Sequence, residues 1–305
     1  MFSVIIPYYK KRQYIERCLD SVLNQSFQNF EIILVDDGSD DDLEQIVNLK
    51  YKDKLKLIRQ VNQGVSAARN RGISNATHDY IAFLDADDYW SPAYLQKNAE
   101  IIKKEATVKI IGSHYTRNKS EIELGPSDLN YFEFKNYWHV AIRNTYFTSS
   151  STIINRSFFL QNPGFNSNLK RGEDLDVWFR TVASGGKSFF INNTLVYYSD
   201  EDQNQATKKV FNLEDSIIYR MKDEYNLLAE QYSNPELKKF AERFIRSRLL
   251  SYYFQKESHG EARKLMEKIG KGSGIARLIY SLPVKWGSIM LSTQLGRKFV
   301  KIVFR

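Results

Sequence analysis

The chain has one cysteine (Cys18), six prolines and four histidines in 305 residues. A single thiol excludes a disulfide scaffold and every cysteine-rich zinc or iron–sulfur site. Scarce proline and the lack of an internal repeat exclude collagen-like, proline-rich and solenoid architectures. His78, His114, His139 and His259 show no metal-ligand spacing. No stretch reaches the about 18 uncharged apolar residues that a membrane span needs. Phe2–Pro7 is apolar, but no basic region precedes it, so no secretion signal is read and the chain is expected on the cytoplasmic side. Acidic residues are missing from one region. None follows Glu267, whereas eight basic residues do. Of the 44 Lys+Arg, 36 therefore lie before that point, against 36 Asp+Glu, so the body is neutral and the net charge of +8 sits in the last 38 residues. That distribution argues against nucleic acid as a partner and marks a tail with its own role.

Hydrophobic residues make up 42%, with 19 Phe and 19 Tyr, enough to bury a core. The first 115 residues alternate strand-like and helix-like segments. Phe2–Pro7, Phe30–Val35, Leu55–Arg59, Tyr80–Leu84 and Val108–Ser113 read as strands. Helices are expected over Tyr14–Gln25, through Leu43, Ile46 and Val47, over Gly64–Ser74, and from Pro92 with Ser91 as N-cap. Cys18 shares the apolar face of the first helix and reads as core. Such alternation implies an α/β fold with a mostly parallel sheet flanked by helices, whose ligands bind beyond the carboxyl ends of the strands. Residues 116–147 lack clear periodicity and read as a loop region. Phe147–Ile154 and Phe189–Tyr198 read as further strands, and Gly172-Glu173-Asp174 opens a helix. A helical extension runs from Val210 to about Ile269, restarted at Pro235. The expected divisions are 1–205, 206–270 and 271–305.

Four segments could carry chemistry. Asp85-Ala86-Asp87-Asp88 follows a buried strand. Period-two alternation aims Asp85 and Asp87 the same way, and two such carboxylates repel unless a cation joins them. Mg²⁺ or Mn²⁺ with a diphosphate suits that pair, although a solvated acidic turn has the same composition. Asp36-Asp37-Gly38-Ser39 ends another strand and could accept hydrogen bonds from a base or ribose, or simply form a turn. Asn62 to Asn70 sets small residues and Arg69 at a helix start, suited to a diphosphate or to tight packing around a structural ion pair. In Gly172-Glu173-Asp174, a carboxylate could act as general base or as a helix cap.

Together with Val4-Ile5-Ile6-Pro7-Tyr8-Tyr9 and Ser21-Val22-Leu23-Asn24-Gln25-Ser26, these segments in this order resemble glycosyltransferase family 2 of the bacterial surface-polysaccharide type, over roughly residues 1–200. The resemblance implies a GT-A fold and inverting, β-linkage-forming transfer from a nucleotide-sugar, UDP by default. It implies that Pro7, Tyr9, Asp37, Asn62, Arg69, Asp85 and Ala86 surround the donor. Asp37 would contact the base, Asp87 with Asp85 would hold Mn²⁺ or Mg²⁺, and Asp174 would be the base. One departure is Lys10, where the family usually has Asn.

The tail from Gly274 mixes Ile275, Leu278, Trp286, Ile289, Phe299 and other apolar residues with basic ones only. That composition suits an interfacial segment drawn to anionic lipid, or a helix docked on the body or on a second subunit. With the family resemblance it implies a peripheral enzyme at the inner face of the plasma membrane, acting on a glycan acceptor linked to polyprenyl diphosphate. Homo-oligomerisation is left open. His139, Trp138, Tyr146 and Trp178 are aromatic candidates for contact with the acceptor, beside ordinary packing. The competing reading is a nucleotidyltransferase acting on sugar phosphates. It usually carries a glycine-rich basic loop after the first strand, where this chain has Pro7 to Arg12 without glycine.

Overall fold

The computed structural model describes residues 1–305 except Pro126, Arg143, 202–211, Ser273 and Arg305, and the side chain of Lys301. The chain opens with β1 (Phe2–Tyr8), α1 (Arg12–Leu23), β2 (Phe30–Asp36), α2 (Leu43–Ile46), β3 (Lys56–Arg59), α3 (Val65–Ser74) and β4 (Tyr80–Phe83). It continues with β5 (Tyr89–Trp90), α4 (Tyr94–Lys104), β6 (Val108–Thr116), β7 (Tyr131–Glu133), α5 (Tyr137–Ala141), β8 (Thr152–Asn155), α6 (Ser157–Gln161), α7 (Glu173–Ala183) and β9 (Lys187–Tyr197). Then come α8 (Ile217–Gln231), α9 (Pro235–Tyr253), α10 (His259–Ile269), α11 (Gly274–Ile279), α12 (Val284–Ser292) and α13 (Gln294–Val303). Two compact units result. The first comprises 1–135, 146–167 and 173–209, the second 136–145, 168–172 and 210–305.

The first unit is the α/β fold that strand–helix alternation implies. Its sheet runs β3-β2-β1-β4-β8-β6-β9-β5, with β7 also on β9. β3, β2, β1 and β4 are mutually parallel, as are β6 and β9, while β8 enters antiparallel between β4 and β6. β1 pairs Tyr8 with Asp36 and Ile5 with Phe83, which brings the carboxyl ends of three strands to one edge. β1 is buried along its whole length. Its Val4 and Ile6 join the cluster with Ile15, Cys18 and Leu19 of α1. Ile5 faces the other way, and a Cβ on Gly72 of α3 would come within 2.4 Å of it. Both faces of the strand are thus covered, as its continuous apolar sequence requires.

Several expected boundaries move. The strand expected over Phe147–Ile154 is only Thr152–Asn155, preceded by a 3₁₀ turn at Ser149–Ser151. Serine hydroxyls there bond locally and to the β4 end, in place of a ladder. The helix expected from Pro92 starts at Tyr94. Ser91 supplies no N-cap bond, and its Oγ accepts from Ala93 N instead. The region expected as loop over 116–147 contains β7 and α5. Val210 and the boundary at 205/206 lie outside the described residues.

The second unit is helical. Pro235 occupies the first turn of α9, a position where its missing N–H costs nothing. Trp138 of α5 packs on Phe240 with ring centroids 5.0 Å apart. The tail helices dock by one face: Tyr280 stacks edge-on to Tyr253 at 4.8 Å, and Phe304 meets Tyr280 at 6.1 Å. Gly287 lies so close to Phe254 that a Cβ would overlap its ring. Among the described residues, no helix is long and apolar enough to cross a membrane.

Candidate active site

A cavity of about 580 Å³ opens in the first unit where β1, β2 and β4 end. At its rim, the loop after β2 is fixed by its own acids. Asp36 accepts from Ser39 N at 2.9 Å and pairs with Arg59 at 3.3 Å. Asp37 accepts from Gln60 Nε2 and from the backbone N–H groups of Gln63 and Gly64, at 2.8, 2.9 and 2.8 Å. It therefore holds the Gln60–Gly64 turn that carries Asn62 into the cavity wall. Gly38 between them has φ +78°, and a Cβ there would stand 2.8 Å from Asn62 N. Only glycine meets both demands. Lys10 has φ 50°, a left-handed conformation that Asn tolerates better than Lys, and its N–H donates to Ser39. Pro7 and Tyr9 complete this side.

The floor is acidic. Arg69, itself buried, reaches Asp85 at 2.7 Å and Glu173 at 3.5 Å, with its guanidinium 5.2 Å from the Phe165 ring. Its Nε finds no hydrogen-bond partner among the described residues. Lys11 Nζ lies 2.7 Å from Asp87 Oδ2, and Arg17 donates to the Asp87 carbonyl at 2.9 Å. Burial, then the charge of Asp85, raises the Asp87 carboxyl above the ordinary range, against the pull of Lys11. Asp88 turns inward to accept from Ser150 Oγ and Ser199 N, at 2.5 and 2.8 Å. Burial and its two acidic neighbours push it far up. Cys18 lies beneath, fully buried, with its thiol raised first by burial and then by the same acids, so it is an inert core residue.

Asp174 stands in the first turn of α7 and lines the same cavity. Its Oδ1 accepts from Leu175 N at 2.7 Å. Burial, reinforced by the charge of Glu173 and opposed by Arg69, raises its pKa to about 7. A carboxyl poised there can accept a proton near neutrality. Trp178, one turn on, is not at the site. It is fully buried against Phe83 and Phe165. Trp138 is likewise packed on Phe240, whereas His139 is exposed.

All nine residues singled out from the sequence, Pro7, Tyr9, Asp37, Asn62, Arg69, Asp85, Ala86, Asp87 and Asp174, line this one cavity. Lys11, Tyr115, Arg117, Ser149, Glu173, Tyr198 and Ser199 line it too and were not singled out as site residues. Arg117 lies 5.3 Å from the Tyr198 ring. It follows directly on β6, and a cation at a strand's carboxyl end is the one signal that could have found it. Among the described residues, no three acidic, histidine or cysteine side chains form a metal cage. The donor set nevertheless fits a hard cation that also uses diphosphate oxygens: Asp85 and Asp87 are carboxylates, and Asp87 already accepts the ammonium of Lys11.

The raised Asp174 has a stability consequence. Its folded pKa lies above that of the unfolded chain, so ionising it costs folding free energy. Wild-type stability should fall as pH rises from about 4 to about 7, then level. Asp174→Asn escapes this cost. It should melt higher than wild type at pH 8, by an amount of order 1 kcal/mol, and the gap should narrow at pH 5. Thermal unfolding at both pH values checks it; an equal or lower melting point at pH 8 would contradict it.

The family model for glycosyl transferase family 2 matches residues 3–162, just over half of the chain. The minor teichoic acid biosynthesis protein GgaA of Bacillus subtilis (strain 168) is 34% identical over 175 residues, covering 50% of this chain and 39% of that protein. The chain spans between 17% and 47% of the length of the curated relatives it matches. Among solved structures, S. aureus TarS 1-349 in complex with UDP-GlcNAc superimposes with a TM-score of 0.68 at 18% identity, covering 100% of this chain and 91% of that one. The mannosyltransferase PcManGT from Pyrobaculum calidifontis, in complex with GDP-Man and Mn²⁺, gives 0.60 at 17% identity, covering 99% and 84%. These likenesses bear out the GT-A arrangement of the α/β unit and the helical region after it. With the family model matched across β1 to α6, the chain belongs to glycosyl transferase family 2.

Proposed function

We propose that this glycosyltransferase inverts the anomeric centre as it moves a sugar from a UDP-sugar to a hydroxyl of an acceptor glycan. The acceptor is carried on polyprenyl diphosphate, in surface-polysaccharide synthesis. The observation that carries the reading is one cavity with a proton-accepting carboxyl, Asp174, and a cation-accepting pair, Asp85 and Asp87. UDP-GlcNAc in TarS and the teichoic acid role of GgaA favour a UDP donor and a surface polymer.

The acceptor oxygen attacks the anomeric carbon while its proton passes to the Asp174 carboxylate. The bond from that carbon to the diphosphate oxygen breaks, and UDP leaves with the electron pair. Attack opposite the leaving group turns an α-linked donor into a β-linked product. Asp85 and Asp87 would hold Mn²⁺ or Mg²⁺, which when bound neutralises charge on the diphosphate. Arg69 adds fixed positive charge beside them. Asp37 acts on the nucleotide pocket through the Gln60–Gly64 turn that it ties down, with carboxylate lone pairs left for the base.

The tail supports a membrane surface as the place of reaction. Leu278, Trp286, Ile289, Leu295, Phe299 and Ile302 are exposed on α11 to α13, and every charged residue after Glu267 is basic. An exposed apolar face interspersed only with cations is complementary to anionic lipid.

Two experiments follow. Donor hydrolysis and transfer on a panel of UDP-, GDP- and dTDP-sugars should select a UDP-sugar. Asp174→Asn should lower turnover by about 100-fold or more with donor binding retained; unchanged turnover would remove Asp174 from the chemistry. For the tail, deletion would also strip Tyr280 from Tyr253, together with the Phe304 that packs on it, so substitutions of exposed residues are the cleaner probe. Trp286→Gln/Ile289→Gln/Phe299→Gln should stop co-sedimentation with phosphatidylglycerol vesicles. Undiminished vesicle binding, or a wild-type dimer that the variant dissolves, would overturn the lipid assignment.

A further inference from the structure

In the second unit, Arg171 and Arg248 approach one another and neither has an ion pair among the described residues. Arg248 sits in the C-terminal half of α9 in a row with Phe244 and Tyr252, each one turn away. Its guanidinium lies 5.4 Å from the Phe244 ring centroid, and it has no ion pair among the described residues. Arg171 approaches the same row from the segment before α7. Its Nη1 donates to Tyr252 Oη at 3.4 Å, and its backbone is pinned by the bridge to Ser216. The nearest carboxylate on that bridging segment, Asp215, is engaged by Lys170 at 3.3 Å. Burial, followed by the charge of Arg171, lowers the affinity of Arg248 for its proton, a sign that the two cations face each other uncompensated.

An exposed guanidinium, Arg171, and a half-buried one, Arg248, converge on this helix face with a phenol between them, and the buried charge costs free energy unless an anion joins it. Guanidinium forks match phosphate oxygens in pairs. We propose that Arg171, Arg248 and Tyr252 form a binding site for the phosphate or diphosphate group of the acceptor. This deepens the glycosyl-transfer reading and rests on it for identifying the anion's owner. Arg171 precedes the proposed base Asp174 by three residues in the sequence.

The test uses the full chain with UDP and Mn²⁺ saturating the donor cavity. Calorimetric titration with inorganic pyrophosphate and with geranyl diphosphate should show a second binding event. Arg248→Gln and Arg171→Gln should each weaken it at least 10-fold, and Arg248→Lys should weaken it less. UDP affinity should be unchanged in all three variants. Comparable affinity for the two probes identifies a site for the diphosphate alone; geranyl diphosphate binding at least 10-fold tighter identifies a lipid carrier. Either supports the site. No second event, or one that both Gln variants retain at wild-type strength, overturns it. Failure of wild type to bind UDP would instead count against the transferase reading, so the two outcomes stay distinct.

Discussion

Three carboxylates within four residues, Asp85, Asp87 and Asp88, must coexist at the end of one buried strand. Most of the first unit around them answers that repulsion. Arg69 is buried to reach Asp85, Lys11 comes across from the β1–α1 turn to Asp87, and Ser150 Oγ and Ser199 N donate hydrogen bonds to the inward Asp88. The irregular Ser149–Ser151 turn exists where a longer strand would otherwise run, because its hydroxyl and backbone serve this cluster and Trp90. A site held by such balanced charge is preorganised for a ligand that brings both negative charge and a cation.

Much of this was legible in the sequence. Strand–helix alternation placed both acidic clusters at strand ends, but the strand stops at Phe83, and a turn closed by Asp88 N on Asp85 O, not period-two alternation, sets Asp85 and Asp87. The contributions of Lys11, Ser149 and Ser199 were not legible, since each reaches the cavity through long-range packing rather than through a local pattern. Lys11 pairs with a residue 76 positions away. The division of labour between Asp36 and Asp37 was also hidden. Adjacent acids look equivalent in a string, but one caps its own turn while the other ties a turn from the neighbouring strand. Trp178 and Trp138, which could equally have met the acceptor or packed, are core residues in the fold, because large aromatics usually serve packing first.

The same tension between folding and chemistry recurs across the chain. Asp174 sits where ionisation is disfavoured, Arg69 keeps an orphaned Nε, and Arg171 with Arg248 shares a face without a counter-ion. Each is a local cost that a ligand of opposite character would relieve. The tail departs from this pattern in kind. It uses Ile279, Tyr280, Gly287, Val300 and Phe304 for docking and leaves Leu278, Trp286, Ile289, Leu295, Phe299 and Ile302 exposed, the pattern of a surface segment and not of a core helix.

The most direct measurement is the coupling between divalent cation and UDP. Calorimetry would compare UDP affinity with Mn²⁺ and with EDTA, in wild type and in Asp87→Asn. The account predicts that Mn²⁺ tightens UDP binding about 10-fold or more in wild type, an amount of about 1.4 kcal/mol, and that Asp87→Asn abolishes the gain. UDP binding that ignores the cation in wild type, or no UDP binding in either condition, would contradict the assignment of the acidic floor as the donor's diphosphate site.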